Sequence, residues 1–385
     1  MNMLRRYVLV LGAMLATLAG CAGEEAGGRQ SAAAGAVAAA PKTEFAGLIE
    51  RLSESGGFFD TDNLISNETS YLHVMGKMRE MGVAGGAYIG VGPGQNLSYI
   101  AQIRPRIAFI VDIRRDNLLH HLLYKSLFEL ADNRIEYLSL LLGRPTPDDA
   151  EQWGGRSVAE LVAYVDGVPS QARAERASWT AVQDRLASFG VPLDDRDLET
   201  IQRFHETFIR HGLDLRFNSF GRAPQPYYPT LRELILERDL TGKQANYLAS
   251  QDDFQFVKAM QHDDLIVPVV GNLAGTHAMR AIAGYLAEIG EHVSAFYTSN
   301  VEFYVMSDGL FGRFVDNVAA LPHDERAVII RSFFGRGFRS RHPQAVAGYY
   351  STQLLQTVES FVTEYVGGGY VSYVDVVTRH ALPLR

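Results

Sequence analysis

Glycines recur at alternate positions, Gly90, Gly92 and Gly94, where an apolar run closes in the segment Ala87-Tyr88-Ile89-Gly90-Val91-Gly92-Pro93-Gly94. A second apolar run, Ile107-Ala108-Phe109-Ile110-Val111, ends on Asp112. A buried strand, a bend without side chains, a helix and a second strand ending on an acid about twenty residues on describe a nucleoside-binding unit. A side chain at any of the three glycines would crowd a ligand lying across the strand end, and the acid can grip a ribose through its two hydroxyls. Gly90, Gly92, Gly94 and Asp112 are therefore the expected ligand-binding residues.

The rest of the chain extends this unit. The pattern predicts a strand at residues 87–91, a helix through 98–102 and a strand at 107–111. Leu118, Leu119, Leu122, Leu123, Leu127 and Leu130 then share one face of a long helix. Strand character disappears between about residues 145 and 264, where 195–211 and 230–238 read as helices. It returns at 265–270 and 293–297, on either side of a helix at 276–289 that Gly290 stops. Pro268 has no amide hydrogen to give a central ladder, so its strand belongs at an edge or carries a bulge. A strand at 327–332 and a helix over about 345–365 complete the pattern. Alternating strands and helices imply parallel pairing. The expected fold is α/β, a Rossmann-like doubly wound and mostly parallel sheet, with a helical insertion at about 145–264.

Ahead of this domain, Arg5 and Arg6 precede an apolar stretch to Leu18 and the segment Leu18-Ala19-Gly20-Cys21. The apolar core is too short to span a membrane, which takes about twenty apolar residues. The segment resembles a bacterial lipoprotein signal peptide, which implies cleavage after residue 20 and lipidation of Cys21, the single cysteine of the chain. Residues 21–44 read as a flexible tether and 45–385 as the folded domain. A membrane partner through Cys21 and a cell-envelope location follow, in the outer membrane where the cell has one, because Ala22 replaces an inner-membrane retention aspartate.

With a formal charge of −8, no nucleic-acid partner is expected. The dense basic run Arg331, Arg336, Arg339 and Arg341 reads as a solvated loop.

A dinucleotide fingerprint would need glycine where Gln95 stands. The G-x-G-x-G form resembles instead the first motif of class I S-adenosylmethionine-dependent methyltransferases, with Asp112 in the place of that family's ribose-binding acid. The mature chain is similar to a little-characterised group of bacterial methyltransferase-like proteins through Phe59-Asp60-Thr61-Asp62-Asn63-Leu64-Ile65-Ser66-Asn67-Glu68, Val91-Gly92-Pro93-Gly94-Gln95-Asn96 and Val111-Asp112-Ile113-Arg114-Arg115. The resemblance implies S-adenosylmethionine as the cofactor. It also marks a departure, since Tyr88 stands where the family carries an acid two residues before the first glycine.

Loops at the carboxyl ends of the strands supply further candidates. Tyr88, Asn96, Asn272 and Asn300 are the candidate pocket residues; Gly271, His277, Ser299 and Glu302 flank the same positions, and His277 reads as a surface or capping residue rather than a base. Asp60, Asp62, Asn63, Asn67 and Glu68 make either a polar pocket edge or cation site, or the turn and cap chemistry of an ordinary loop. The twelve-residue calcium-loop pattern is missing and no metal is expected. The adjacent His120 and His121 point about 100° apart on a helix, which argues against joint ligation. Tyr227 and Tyr228, set between Pro226 and Pro229, can serve as core aromatics or as a lid. No residue declares itself catalytic. Two functions stand: S-adenosylmethionine-dependent methyl transfer to an unidentified acceptor, or a catalytically retired methyltransferase fold that binds a small molecule or a protein at the envelope.

Metabolic labelling with palmitate is expected to mark the wild-type chain and to leave a Cys21→Ser variant unmarked. An unlabelled wild type would contradict the anchor, and would also remove the difficulty of an exported protein meeting a methyl donor made in the cytoplasm.

Overall fold

The computed structural model describes residues 43–221, 225–335 and 341–385. The signal segment, the tether up to residue 42 and Cys21 lie outside the described residues, as do Arg336 and Arg339. No helix among the described residues is long and apolar enough to cross a membrane.

One six-stranded sheet organises the domain. Its strands are β1 (Ala87–Gly90), β2 (Ile107–Asp112), β3 (Ile266–Val270), β4 (Val293–Ser299), β5 (His323–Phe334) and β6 (Ser351–Thr357), in the spatial order β3-β2-β1-β4-β5-β6. All neighbours run parallel except β6, which is antiparallel to β5. Strands β1 to β3 are almost wholly apolar, and β4 is buried although it carries Ser294 and Thr298, because helices cover the sheet and leave little of it to solvent. The registers place Gly90 beside Ile110 and Tyr297, and Asp112 beside Val270. The carboxyl ends of the four strands therefore finish close to one level.

Helices flank the sheet in the expected mixed α/β, mostly parallel arrangement. The first are α1 (Thr43–Leu52), α2 (Met75–Glu80), α3 (Gln95–Ile103), α4 (Arg115–Leu130) and α5 (Arg134–Leu142). The stretch between β2 and β3 continues with α6 (Val158–Gly167), α7 (Ala172–Ser188), α8 (Asp195–His211), α9 (Leu231–Leu236) and α10 (Gln251–His262). Among the described residues it holds no strand beyond the isolated bridges Arg216–Thr230 and Arg238–Gln244. Helices α7, α8 and α10 pack along α4. That enclosure buries His120, His121 and Lys125 of α4 as well as its leucines other than the half-buried Leu130. After β3 come α11 (Ala278–Glu288), α12 (Val301–Ser307) and α13 (Phe311–Ala320), and after β6 come α14 (Val358–Val366) and α15 (Tyr373–Thr378).

Pro268 sits on β3, the edge strand next to β2. The β3 amide of Val270 on the outer side is capped by Ser53 Oγ at 3.1 Å, and the Val270 carbonyl accepts from the Glu54 amide at 2.8 Å. Pro268 shares that outer parity, so its missing N–H costs the ladder nothing.

Two expectations fail here. The helix over about 345–365 is instead a strand, β6, followed by α14. Leu354, Leu355, Val358 and Phe361 mimic helical spacing, but Ser351 to Gln356 is buried on both faces and β5 supplies its hydrogen-bond partners. The helix begins only where the Thr357 side chain accepts from the Ser360 amide. The basic run is not a uniform solvated loop either, because Arg331 belongs to β5 and is 1% exposed.

Arg331 is tolerated inside because Nε donates to Glu302 Oε1 at 2.7 Å, Nη1 donates to Gln356 Oε1 at 2.7 Å, and the guanidinium lies over the Phe361 ring. Removing one partner of such a pair strands the other charge, at a cost of about 3–5 kcal/mol. Arg331→Met is expected to lower stability by that amount in urea titration, and Arg331→Met with Glu302→Leu to recover most of it. Equal losses in the single and double variants would contradict this account.

Candidate functional site

The strand order reverses at β1, whose neighbours are β2 on one side and β4 on the other. Loops leaving the two halves diverge there and open a crevice, the usual binding place in an open α/β sheet. A cavity of about 250 Å³ lies at this point, with Val91 and Gly92 after β1, Asp112 at the end of β2, Gly271 and Asn272 after β3, and Ser299 and Asn300 at the end of β4 in its wall. The segment from Phe58 to Glu68 supplies the other side, with Phe58, 81% exposed, at the wall.

The glycine bend is held from beneath by Asn96 at the start of α3. Its fully buried Nδ2 donates to the carbonyls of Val91 at 2.8 Å, Gly92 at 3.3 Å and Pro93 at 2.8 Å, while Oδ1 accepts from the Tyr88 hydroxyl at 2.7 Å. His121 on α4 adds a fourth tie, Nε2 to the Gly92 carbonyl at 2.9 Å. Only Gly92 has a left-handed backbone, φ +79°, and only Gly92 of the three glycines borders the cavity. A Cβ at Gly90 would collide with Asn96 Oδ1 and the Tyr88 hydroxyl, and one at Gly94 would lie 2.9 Å from the Tyr124 hydroxyl. Gly90 and Gly94 thus make room for the protein's own side chains rather than for a ligand. Tyr88 and Asn96, expected in the pocket wall, lie under the bend instead; both are fully buried and neither lines the cavity. Asn272 and Asn300 do line it.

Asp112 faces the cavity but is not idle. Oδ1 accepts from the Arg114 amide and Nε, both at 2.9 Å, and Oδ2 accepts from Arg114 Nη2 at 2.7 Å. Arg114 in turn donates through Nη1 to the Thr61 carbonyl at 2.6 Å, which pins the Phe58–Glu68 segment to the sheet. A carboxylate offers about four acceptor directions. Three are taken, so Oδ2 retains capacity for one further donor.

Opposite Asp112 lies a polar group the sequence only half reveals. Asn63, Asn67 and Glu68 of the polar segment border the cavity, whereas Asp60 and Asp62 do not. Glu68 is 1% exposed. Its Oε1 accepts from the Tyr297 hydroxyl at 2.7 Å and from Ser299 Oγ at 2.5 Å, and Gln95 Nε2 donates to the same Tyr297 hydroxyl at 3.1 Å. Burial is the main cause that raises the Glu68 carboxyl above the ordinary range. Tyr297 carries no motif and Gln95 is legible only as part of the glycine segment; no signal in the sequence joins them to Glu68, which is more than 200 positions from Tyr297.

The remaining candidates fall outside the cavity. Glu302 turns inward to Arg331 and the Thr298 hydroxyl. His277 stands at the N-cap position of α11 without a side-chain capping bond, its Nε2 at 2.9 Å from the Arg51 carbonyl. Tyr227 packs tilted on Tyr350 and Tyr228 meets it edge-on, away from the cavity wall, so they form no lid over it.

His120 and His121 are both held neutral by burial, His121 with its pKa lowered to about 4. That value lies below the ordinary 6.5, so the unfolded chain takes up the proton first and stability is lost as pH falls from 6.5 towards 4. The contribution of His121 is worth about 3 kcal/mol. His121→Gln is expected to flatten the acid limb of the melting-temperature profile over that window; an unchanged profile would contradict this assignment.

A comparison with curated proteins gives no match. A family model, a domain of unknown function (DUF7790), matches residues 64–151 and 197–376. The two stretches take in all six strands, the glycine bend, Asp112, Glu68 and Tyr297, and leave out residues 43–63, part of the helical insertion and residues 377–385. The sheet and the cavity wall other than Phe58, Phe59 and Asn63 lie within the matched residues, and the chain belongs to the DUF7790 family.

Proposed function

We propose that the cavity at the ends of β1 to β4 binds a nucleoside-type small molecule, with S-adenosylmethionine or its demethylated product as the ligand. One observation carries the reading: the side-chain-free bend at Gly92 and the carboxylate of Asp112 border the same open cavity at the strand-order reversal. A sugar lying across Gly92 has a ready acceptor in Asp112 Oδ2. Its second hydroxyl requires the Arg114 guanidinium to give way, so binding rearranges this ion pair. In this reading the scaffold is methyltransferase-like, with methyl transfer to an unidentified acceptor, on a chain anchored in the cell envelope through Cys21.

A second reading, a retired fold that holds a small molecule or a protein partner without turnover, is favoured by one specific feature. Tyr88 replaces the acid of the methyltransferase motif, and its hydroxyl is spent on Asn96 beneath the bend. Mass spectrometry of ligands retained through native purification separates the two: a retained S-adenosylmethionine supports the enzymatic reading.

Titration calorimetry of the mature protein with S-adenosylmethionine and S-adenosylhomocysteine is the direct test. Binding is expected, with affinity reduced about tenfold or more in Asp112→Ala, the loss expected when a charge-assisted hydrogen-bond acceptor is deleted. No heat from folded wild-type protein at high concentration would contradict the reading.

A further inference from the structure

All three exposed phenylalanines of the described residues stand at or beside the mouth of the cavity. Phe58 is part of its wall, and the amide of Phe220 donates at 2.7 Å to the carbonyl of Asp60, two positions after Phe58. Phe303 meets Tyr304 edge-on with ring centroids 5.4 Å apart, and Tyr304 meets Phe59 in the same way at 5.2 Å; Phe59 and Tyr304 line the cavity. Beyond Phe303, Tyr373 of α15 continues the row at 5.4 Å, and its sequence neighbours Val371 and Val374 are exposed. Exposed apolar side chains are ordinary one at a time, whereas a connected set around a crevice marks a contact surface.

The origin of the chain points to a lipid surface as the occupant. Its first residues resemble a lipoprotein signal, which puts an acyl anchor on Cys21. Lys125 Nζ lies 5.0 Å over the Phe45 ring near the start of α1 and pairs at 2.7 Å with Asp264, just before β3. Glu54, just after α1, bonds to Val270 at the end of β3. Helix α1 therefore runs along the edge strand towards the mouth, and Thr43 starts about 15 Å behind it. Residues 22–42 span at most about 70 Å, enough to bring an anchored Cys21 round to the level of the mouth. The charged groups described beside the row are Asp308 in the cavity wall and the Asp375–Arg379 pair at α15, which carry no positive excess for an acidic partner.

We propose that the mouth of the cavity is seated on the membrane. Phe58, Phe303, Val371 and Val374 enter the boundary between headgroups and acyl chains, and the cavity opens towards lipid. The contact is apolar, so zwitterionic lipid suffices and salt leaves it unchanged. It rests on the anchor reading for the nearness of a membrane, and on nothing about the ligand inside the cavity.

The test needs no anchor. The mature chain with Cys21→Ser is floated with phosphatidylcholine vesicles at low and high salt. Binding independent of salt is expected, reduced about tenfold by Phe58→Ser and about a hundredfold by Phe58→Ser with Phe303→Ser, since each phenylalanine withdrawn from an apolar phase costs about a factor of ten or more. Ile289 is the matched control: it is exposed too, but it precedes β4 at the opposite end of the sheet, and Ile289→Ser is expected to change nothing. Equal partition of all these variants overturns the proposal.

Spin labels at Phe58→Cys, Phe303→Cys and Ile289→Cys locate the contact, on the Cys21→Ser chain or, where that chain stays in water, on the lipidated chain, whose Cys21 is blocked. Labels at 58 and 303 are expected to meet oxygen dissolved in lipid more often than a water-soluble nickel chelate, and the label at 289 the reverse. Labels at 58 and 303 that meet the chelate as freely with vesicles as without overturn the proposal. So does a vesicle-free dimer that shields them, because the face then belongs to a second copy of the chain. A wild type that takes up no palmitate removes the anchor alone and leaves the flotation to decide the surface.

Discussion

The cavity depends on one buried side-chain amide. Asn96 ties three successive carbonyls of the glycine bend and takes the Tyr88 hydroxyl, so a stretch that cannot form regular hydrogen bonds is nonetheless satisfied inside the protein. With the bend fixed, Gly92 can hold its left-handed conformation and present bare backbone to the cavity. The alternate glycines follow from the same arrangement: Gly90 makes room for Asn96 and Tyr88, Gly94 for Tyr124, and Gly92 alone for what lies outside. A motif that reads as one ligand cradle is divided between internal packing and the cavity wall.

Charge is divided with similar economy. Arg114 occupies three of the acceptor directions of Asp112 while holding the Phe58–Glu68 segment through Thr61. Any ligand that competes for Asp112 therefore also loosens the wall that carries Glu68. The two carboxylates are mechanically connected, although they sit at different strand ends and one is neutralised within the protein while the other is not.

Much of the fold was legible because its signals are local. Buried parallel strands are apolar runs, Gly290 ends its helix, and Pro268 declares an edge strand through the hydrogen bond it cannot make. The error at 345–365 arose where periodicity is ambiguous: a strand buried on both faces and a helix that follows it share apolar spacings, and only pairing with β5 decides between them. Within the site, Gly92, Asp112, Asn272 and Asn300 were found because they follow strand ends. Tyr88 and Asn96 were placed on the wrong side of the bend, since sequence spacing does not tell which face of a loop a side chain supports. Glu68 was visible as one acid in a polar segment. Its partnership with Tyr297, Ser299 and Gln95 is made by the tertiary fold and left no trace in spacing.

The central claim is that the bend at Gly92 and the carboxylate of Asp112 are two sides of a ligand-binding cavity. A crystal structure of the mature protein with S-adenosylhomocysteine tests it most directly. The account predicts ligand density across Gly92, a ribose hydroxyl on Asp112 and a displaced Arg114 guanidinium. An intact Asp112–Arg114 pair, with the ligand bound elsewhere or nowhere in such crystals, would contradict it.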